Sequence, residues 1–554
     1  MVFEGIKMGK YREYFLWLTI FLLGAIWFLT VISTSLYSIE PEDLGLVSKL
    51  PPYFWVGLAL LCVVFYVGRD SKKYLSIAFV FVILYLFAAP TLIKEPVWLS
   101  NSFYPFAESI LINNFSHLFI RSGAPLFSYI RWPLFIYFSS ALTLATGIPD
   151  ILLLKFFPLL TISLFGLLIL SILKEEMDFH HAVFGAAWFL SSFWLRQQYF
   201  GPQSLAYIFF LLLFLVISRG FLNNDDGVGK RRFVLLLAYL FTAIILTHAL
   251  TAIMSLISLI ALYLSQRLIT KSNTISTEVF LLILTIFLAS ALFFLGTFSL
   301  IVNKVYSSLS AITGLSIYRE PSRIIGSSAN QLNYLSSWSI VILNVLAALP
   351  SLLILLKRIL FREELKKEEF GIFSASLLCL FGVFALTMKY GHHEAYQRAF
   401  MFGLLPLTYL SIKSLRRKPK ILVGFLSIII FLNIPAQYGS DSFRIAADSH
   451  LAGAKFTANS IPDKSSCFDE LSFYIRYYAP LKRIRYESLS GLPYTSFPNA
   501  TKVSSVLSKT RYVALSSLLE KYYLYYLGKN PLDQVDLNGL NRIYDNGNFS
   551  LLKN

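Results

Sequence analysis

Apolar runs recur along this chain at a length set by a lipid bilayer. They cover residues 14–36, 53–67, 75–93, 151–173, 182–195, 205–218, 233–247, 250–264, 279–302, 338–356, 370–388, 400–412 and 421–435. About 20 residues at 1.5 Å rise cross the hydrocarbon layer, so repeated runs near that length read as membrane helices. Only 14% of the residues are charged and 56% are hydrophobic, against about 25% charged in an ordinary soluble domain. A single aqueous core cannot hide so much apolar surface. The expectation is a polytopic α-helical membrane protein with about 13 transmembrane helices. The first run is too long for the core of a cleaved leader, and it is read as a retained first helix.

The net charge of +17 would suggest nucleic acid in a soluble chain. Here the basic residues sit in short loops, which is the signature of cytoplasmic loops, so no nucleic-acid partner is expected. The clusters are Lys7, Lys10 and Arg12; Arg69, Lys72 and Lys73; Lys230, Arg231 and Arg232; Arg267 and Lys271; Lys357, Arg358, Arg362, Lys366 and Lys367; and Arg416, Arg417, Lys418 and Lys420. All fall on the side of the N-terminus if the thirteen runs each cross once. The topology is then N-in and C-out. The apolar segment 132–147 would invert every later cluster if it crossed, so it is read as a helix lying on or re-entering the outer surface. Three N-x-S/T sequons, at Asn114, Asn499 and Asn548, then all face outward.

Two domains follow. Residues 1–437 form the membrane body, with a large outer loop at 94–150 that carries interfacial helices. Residues 438–554, where apolar stretches alternate with turn signals such as NPLD and YDNG, form a small extracytoplasmic α/β domain. Cys62, Cys379 and Cys467 have no spacing that suggests a zinc site or a disulfide framework.

Chemistry-bearing residues concentrate at the outer boundary. The first large loop holds Glu95, Asn101, Glu108 and His117, with Trp98, Phe103 and Tyr104 between them. Lys155 follows that loop. Arg196, Gln197, Gln198 and Gln203 lie in WLRQQYFGPQS, His248 in THALTA, Glu320 in YREPSR, and His392, His393, Glu394 and Arg398 in KYGHHEAYQRAF. Ionisable groups at membrane depth are costly and tend to be functional. Arg398 is the sharpest case, because it sits at the edge of an apolar run and a guanidinium pairs with phosphate through two parallel bonds. The chain has no P-loop, no GxGxxG after a strand, no HExxH and no GxSxG.

The layout resembles the GT-C superfamily of membrane glycosyltransferases. The stretches that carry the resemblance are WLSNSFYPFAESILI, RQQYFGPQSLAY, ILTHALTAI, EAYQRAFMFGLLPL and the closing NRIYDNGNFSLLKN. The resemblance implies a plasma-membrane enzyme that moves a sugar from a polyprenyl- or dolichyl-phosphate donor to a glycan, protein or lipid acceptor on the outer face. It implies Glu95 or Glu108 as the base and Arg398, with Lys155 or Arg196, on the donor phosphate. Trp98, Asn101, Tyr104, Gln198, His248 and Glu320 would meet sugar or acceptor. One base without a covalent nucleophile implies inversion at the sugar carbon. No cofactor is certain; His392, His393 and Glu394 would be the ligands for a divalent cation, Mg or Mn. The family often has an acid where this chain has Asn101, and the chain lacks the WWDYG-type motif of oligosaccharyltransferases, which argues against transfer of a whole glycan. Two other classes compete. A transporter or flippase for a lipid-linked saccharide would need polar residues along the whole crossing and often internal repeats. A non-catalytic scaffold would need only the body and a binding tail.

Overall fold

The computed structural model describes residues 2–34, 44–93, 97–98, 102–103, 105–107, 109, 132–222, 227–271, 275–293, 328–361, 368–387, 395–439, 445–446, 448–468, 475, 478, 484–487, 500–527, 529–537 and 539–554. Each of the thirteen apolar runs contributes a helix. In chain order the helices are α1 (Val2–Ser33), α2 (Pro52–Gly68), α3 (Lys72–Ile83), α4 (Ala89–Ile93), α5 (Pro133–Thr146), α6 (Asp150–Glu176), α7 (Phe179–Ser192), α8 (Pro202–Leu222) and α9 (Gly227–Thr247). They continue with α10 (Ala249–Ser265), α11 (Thr277–Phe293), α12 (Ser328–Leu360), α13 (Glu369–Thr387), α14 (Ala395–Leu415) and α15 (Pro419–Tyr438). Among the described residues, seven helices are long and apolar enough to cross a membrane.

That falls short of the thirteen crossings expected; among the other helices α7 is short and deeply buried. Its 14 residues span only about 21 Å at 1.5 Å per residue. Every residue from Ala182 to Ser192 is buried, because α3, α6, α14 and α15 pack around it. A short helix surrounded by longer ones need not match the lipid. Polar links cross this core. Trp188 Nε1 donates to Asn344 Oδ1 at 2.8 Å, and Asn344 Nδ2 donates to Ser192 Oγ at 3.0 Å, which ties α7 to α12. Between α3 and α4 the chain makes a π-turn, Leu84–Ala88. Its carbonyls serve other helices: Leu84 O accepts from Trp27 Nε1 at 2.9 Å, and Leu86 O from the Tyr438 hydroxyl at 2.6 Å.

Contacts bring the basic clusters that hold Arg12, Lys72, Arg358 and Arg416 to one end of the bundle. Arg12 reaches Val67 O and, at 3.1 Å, Asp70. Lys72 lies over the Phe179 ring, and His181 contacts Arg416 O at 3.3 Å. Arg219 pairs with Glu175 at 3.1 Å, while Glu368 bridges Arg358 and Lys413. The turn between α6 and α7 is fixed by Asp178, whose carboxylate accepts from the backbone N–H groups of His180 and His181. This is an N-cap that satisfies two otherwise unpaired donors.

The opposite end carries a five-stranded sheet built from β3 (Ser466–Phe468), β4 (Arg485–Glu487), β5 (Tyr512–Ser516), β6 (Asn541–Asp545) and β7 (Phe549–Lys553), in the order β4-β3-β5-β7-β6. β3 runs parallel to β4 and β5, and β7 is antiparallel to β5 and β6. Helices α16 (Asp448–Ser460), α17 (Ala500–Leu507) and α18 (Ser517–Leu527) accompany it. A separate two-stranded ladder pairs β1 (Val97–Trp98) with β2 (Ile445–Ala446). It joins the first large loop to the segment just after α15. The segment 132–147 is the helix α5, which packs against α9 and α8 and leaves Tyr137 and Leu144 exposed.

Candidate functional site

At the end opposite the basic clusters, the starts of α8, α10 and α14 come together. Pro202 suits the first turn of α8, where its missing N–H has no intrahelical role. The hydroxyl of Ser204 turns back to the carbonyls of Tyr199 and Gly201, at 2.6 Å each. α10 is capped by His248, whose Nδ1 accepts from Thr251 N at 3.3 Å. α14 begins at Ala395 and carries Arg398 in its first turn.

Side chains link these starts. Arg398 Nη1 donates to Gln203 Oε1 at 2.5 Å, and Gln203 Nε2 reaches Met401 Sδ at 3.7 Å. His248 lies close enough to Arg398 to feel its charge. Burial first, and that guanidinium second, hold the imidazole in the turn between α9 and α10 down at about 3. His248 is therefore neutral near pH 7. Its Nδ1 accepts a hydrogen bond, so the proton resides on Nε2. Helix N-termini carry partial positive charge, and together with a guanidinium they form a corner that favours an anion.

Arg196 serves a different place. Its backbone is left-handed, with φ 59°, a conformation that bulky residues seldom adopt. Its guanidinium donates to Gln437 O and, at 3.2 Å, to Ala436 O, at the last turn of α15. Asn333 donates to Pro435 O and Ala436 O from the other side. The terminal carbonyls of α15 are thus satisfied by two side chains. Gln198 is buried two residues further on. Lys155 is half-buried in the second turn of α6. Trp98 lies in β1, opposite Ile445.

Glu95, Asn101, Tyr104, Glu108, Glu320, His392, His393 and Glu394 lie outside the described residues. Their neighbours in the first loop are anchored, however. Phe103 and Phe106 are buried. Phe200 meets Phe106, Phe135 and Phe157 edge-on at 5.4, 5.1 and 4.8 Å, so one ring ties the loop, α5 and α6 to the chain entering α8. Among the described residues no three His, Cys, Asp or Glu side chains stand together to hold a metal ion. Sequence reasoning singled out Arg398 but gave Gln203 no role, and it passed over Asn333, Asn433 and Gln437. A signal was present in IIIFLNIPAQY, where two amides four residues apart share one face of an otherwise apolar helix.

No protein-family model matches the chain, and no curated protein matches it. Solved structures do. The apo oligosaccharyltransferase of Archaeoglobus fulgidus aligns over 86% of this chain and 71% of its own, at 12% identity and TM-score 0.50. ArnT from Cupriavidus metallidurans aligns in the apo state over 90% of this chain and 97% of its own, at 11% identity and TM-score 0.48. The same protein bound to undecaprenyl phosphate aligns over 91% and 98%, at 12% identity and TM-score 0.44. At these identities the likeness is one of fold. The GT-C resemblance read in the sequence holds at that level, in a mostly helical chain whose C-terminal part bears a small sheet.

Proposed function

We propose that this chain is a glycosyltransferase that takes a sugar from a polyprenyl- or dolichyl-phosphate donor at the extracytoplasmic face of the plasma membrane. The observation that carries the proposal is Arg398: a guanidinium oriented by Gln203, beside a neutral histidine, where three helix N-termini meet. That corner suits a lipid phosphate. The fold shared with a GT-C transferase supports the same class of reaction.

The chemistry would be one displacement. An acceptor hydroxyl, of a glycan, a protein or a lipid, attacks the anomeric carbon as the bond from that carbon to the phosphate oxygen breaks. Glu95 or Glu108 takes the hydroxyl proton. The departing polyprenyl phosphate keeps the electron pair, and Arg398 stabilises its charge, helped by Lys155; Arg196, the other cation the sequence offered, bonds to the carbonyls of Ala436 and Gln437 instead. A single attack from the far side inverts the sugar carbon. Trp98, Asn101, Tyr104, Gln198 and Glu320 would line the sugar and acceptor side. Residues 1–437 form the catalytic body under this reading, and 438–554 the outer domain. The basic end then faces the cytoplasm, in keeping with the positive-inside rule.

The test is binding and transfer by the purified chain in lipid nanodiscs. Wild type is expected to bind polyprenyl phosphate and to transfer from a polyprenyl-phosphate hexose. Arg398→Ala should bind the bare lipid phosphate more weakly. The double variant Glu95→Gln/Glu108→Gln should bind yet not transfer. Unchanged transfer by that folded double variant rules out both carboxylates as the base. Absence of lipid-phosphate binding by wild type overturns the proposal.

A further inference from the structure

The five-stranded sheet has one end beside the helical bundle and one end away from it. β5 runs from Tyr512 to Ser516 and leads into α18, which packs against α12. At that same end His450, in the first turn of α16, meets Ser517 at 3.1 Å, and Asn548, between β6 and β7, donates to Ser449 Oγ at 3.2 Å. α16 follows β2 and α15, so this is the end beside the bundle. The 13 residues of α16 then carry the chain about 20 Å away, at 1.5 Å per residue. At the far end β3 and β5 begin and β7 finishes.

Cations collect there. Lys464 precedes β3, Arg485 begins β4, Lys509 and Arg511 precede β5, and Lys553 closes β7. The ladder sets them side by side. Arg485 is in register with Ser466, Arg511 N donates to Ser466 O at 3.2 Å, and Lys553 stands opposite Tyr512. Arg485 Nη2 also reaches Lys509 O at 3.5 Å. Neighbouring strands lie about 4.8 Å apart, so these cations form one row across the sheet. Lys464, Arg485, Lys509 and Arg511 are exposed and Lys553 is half-buried, with the exposed Asp463 next to Lys464 in the chain. Among the described residues Lys464, Lys509, Arg511 and Lys553 make no ion pair, whereas Arg542 on β6 is paired with Asp545 at 2.8 Å. Lys464 has a left-handed backbone, φ 62°, which glycine adopts without steric cost and lysine does not. A cation stands there against the preference of the turn.

Insertion into a membrane explains basic residues on the cytoplasmic side, but this row lies at the opposite end of the molecule from those clusters. Like charges set side by side repel, and their summed field draws anions. Headgroups around the bundle are roughly 20 Å away, beyond the reach of a charge in physiological salt. The ligand is therefore a polyanion in solution. The rings beside the row are not open to it, since Tyr512 is 6% exposed and Tyr486 is half-buried. A single-stranded nucleic acid stacks its bases on open rings. Carboxylates need only charge and N–H donors, which arginine and lysine supply. Alternate side chains of an extended peptide recur about every 6.8 Å, which long cationic side chains one or two strands apart can follow.

We propose that the far end of the sheet is a docking site for an acidic stretch of polypeptide on a partner protein, held by Lys464, Lys509, Arg511 and Lys553. Such docking is independent of transferase activity.

The experiment uses the full chain in nanodiscs of uncharged lipid and follows the fluorescence anisotropy of a labelled short polyglutamate peptide. Wild type should bind the peptide, and the affinity should fall between about 0.05 and 0.5 M salt. The variant Lys464→Gln/Lys509→Gln/Arg511→Gln/Lys553→Gln should bind roughly tenfold more weakly. Lys464→Gly removes one cation and relieves the left-handed turn, so it should melt no lower than wild type yet bind more weakly. That variant carries the test if the fourfold one fails to fold. Arg417→Gln/Lys418→Gln/Lys420→Gln, at the basic end of the bundle, should bind as wild type does. Wild type that ignores the peptide, or sheet-end variants that keep full affinity, overturn the site. Wild type that binds oligouridylate or a sulfated polysaccharide in place of polyglutamate overturns the polypeptide partner.

Discussion

Arg398 and Gln203 stand 195 residues apart in sequence and 2.5 Å apart in space. An arginine here offers a planar fork, whereas lysine offers a point charge. Replacing Arg398 by Ala removes charge-assisted hydrogen bonds of about 1.5–3 kcal/mol, so lipid-phosphate affinity should fall roughly ten- to hundredfold. Arg398→Lys should retain part of that affinity, and titration with polyprenyl phosphate separates the two. His450 in the C-terminal part offers a second test. Its Nε2 lies 3.1 Å from Ser517 Oγ, and burial, with Lys521 nearby, lowers it from 6.5 to about 4. Between those values the unfolded chain binds a proton that the folded chain does not. Stability therefore rises with pH across that window and is lost on acidification. His450→Gln should flatten the dependence of the melting temperature between pH 6.5 and 4; a slope equal to that of wild type would show that other groups carry it.

Helices in this chain are held at their ends as much as along their faces. Asp178 begins α7 by accepting two backbone N–H bonds at 3.1 and 3.2 Å. Asp178→Ala should cost about 1 kcal/mol, read as a lowered melting temperature with lipid-phosphate binding unchanged, since this cap lies at the far end of the bundle. The three-ring contact around Phe200 is of another kind, because it joins the first large loop, α5 and α6 to the start of α8. Phe200→Ala should cost about 3–5 kcal/mol. It should also quicken proteolysis of the first loop, because that loop loses an anchor. Equal protease resistance in wild type and variant would mean that the loop is held elsewhere.

At the scale of the molecule, the first large loop and the C-terminal part are not independent. β1 pairs with β2, and the apolar cluster that holds Phe103 and Phe106 continues into Leu451, Phe468 and Leu551 of the C-terminal part. The loop that carries Glu95 and Glu108 is therefore braced by chain more than 300 residues later in the sequence. The register places Val97 opposite Ala446. The pair Val97→Cys/Ala446→Cys should form a disulfide under mild oxidation, seen by mass spectrometry of the cleaved protein. Free thiols at both positions after oxidation would contradict the ladder.

Much of this architecture was legible in the sequence, because a bilayer imposes a length on apolar runs and basic residues collect in short loops. The apolar runs at 151–173 and 421–435 lie in α6 and α15, and the basic clusters whose contacts are described meet at one end. The tail's alternation of apolar stretches and turns became a mixed sheet with helices. Composition also singled out Arg398, since a charge at the edge of an apolar run needs a partner. Its partner, Gln203, was not legible. Neither was the use of Arg196 on the carbonyls of α15, nor the burial of the amides of Asn433 and Gln437. Hydropathy records how apolar a segment is, and every apolar helix satisfies it in many packings. Which polar atoms end up facing one another is decided by how the helices pack, and only the tertiary structure sets that.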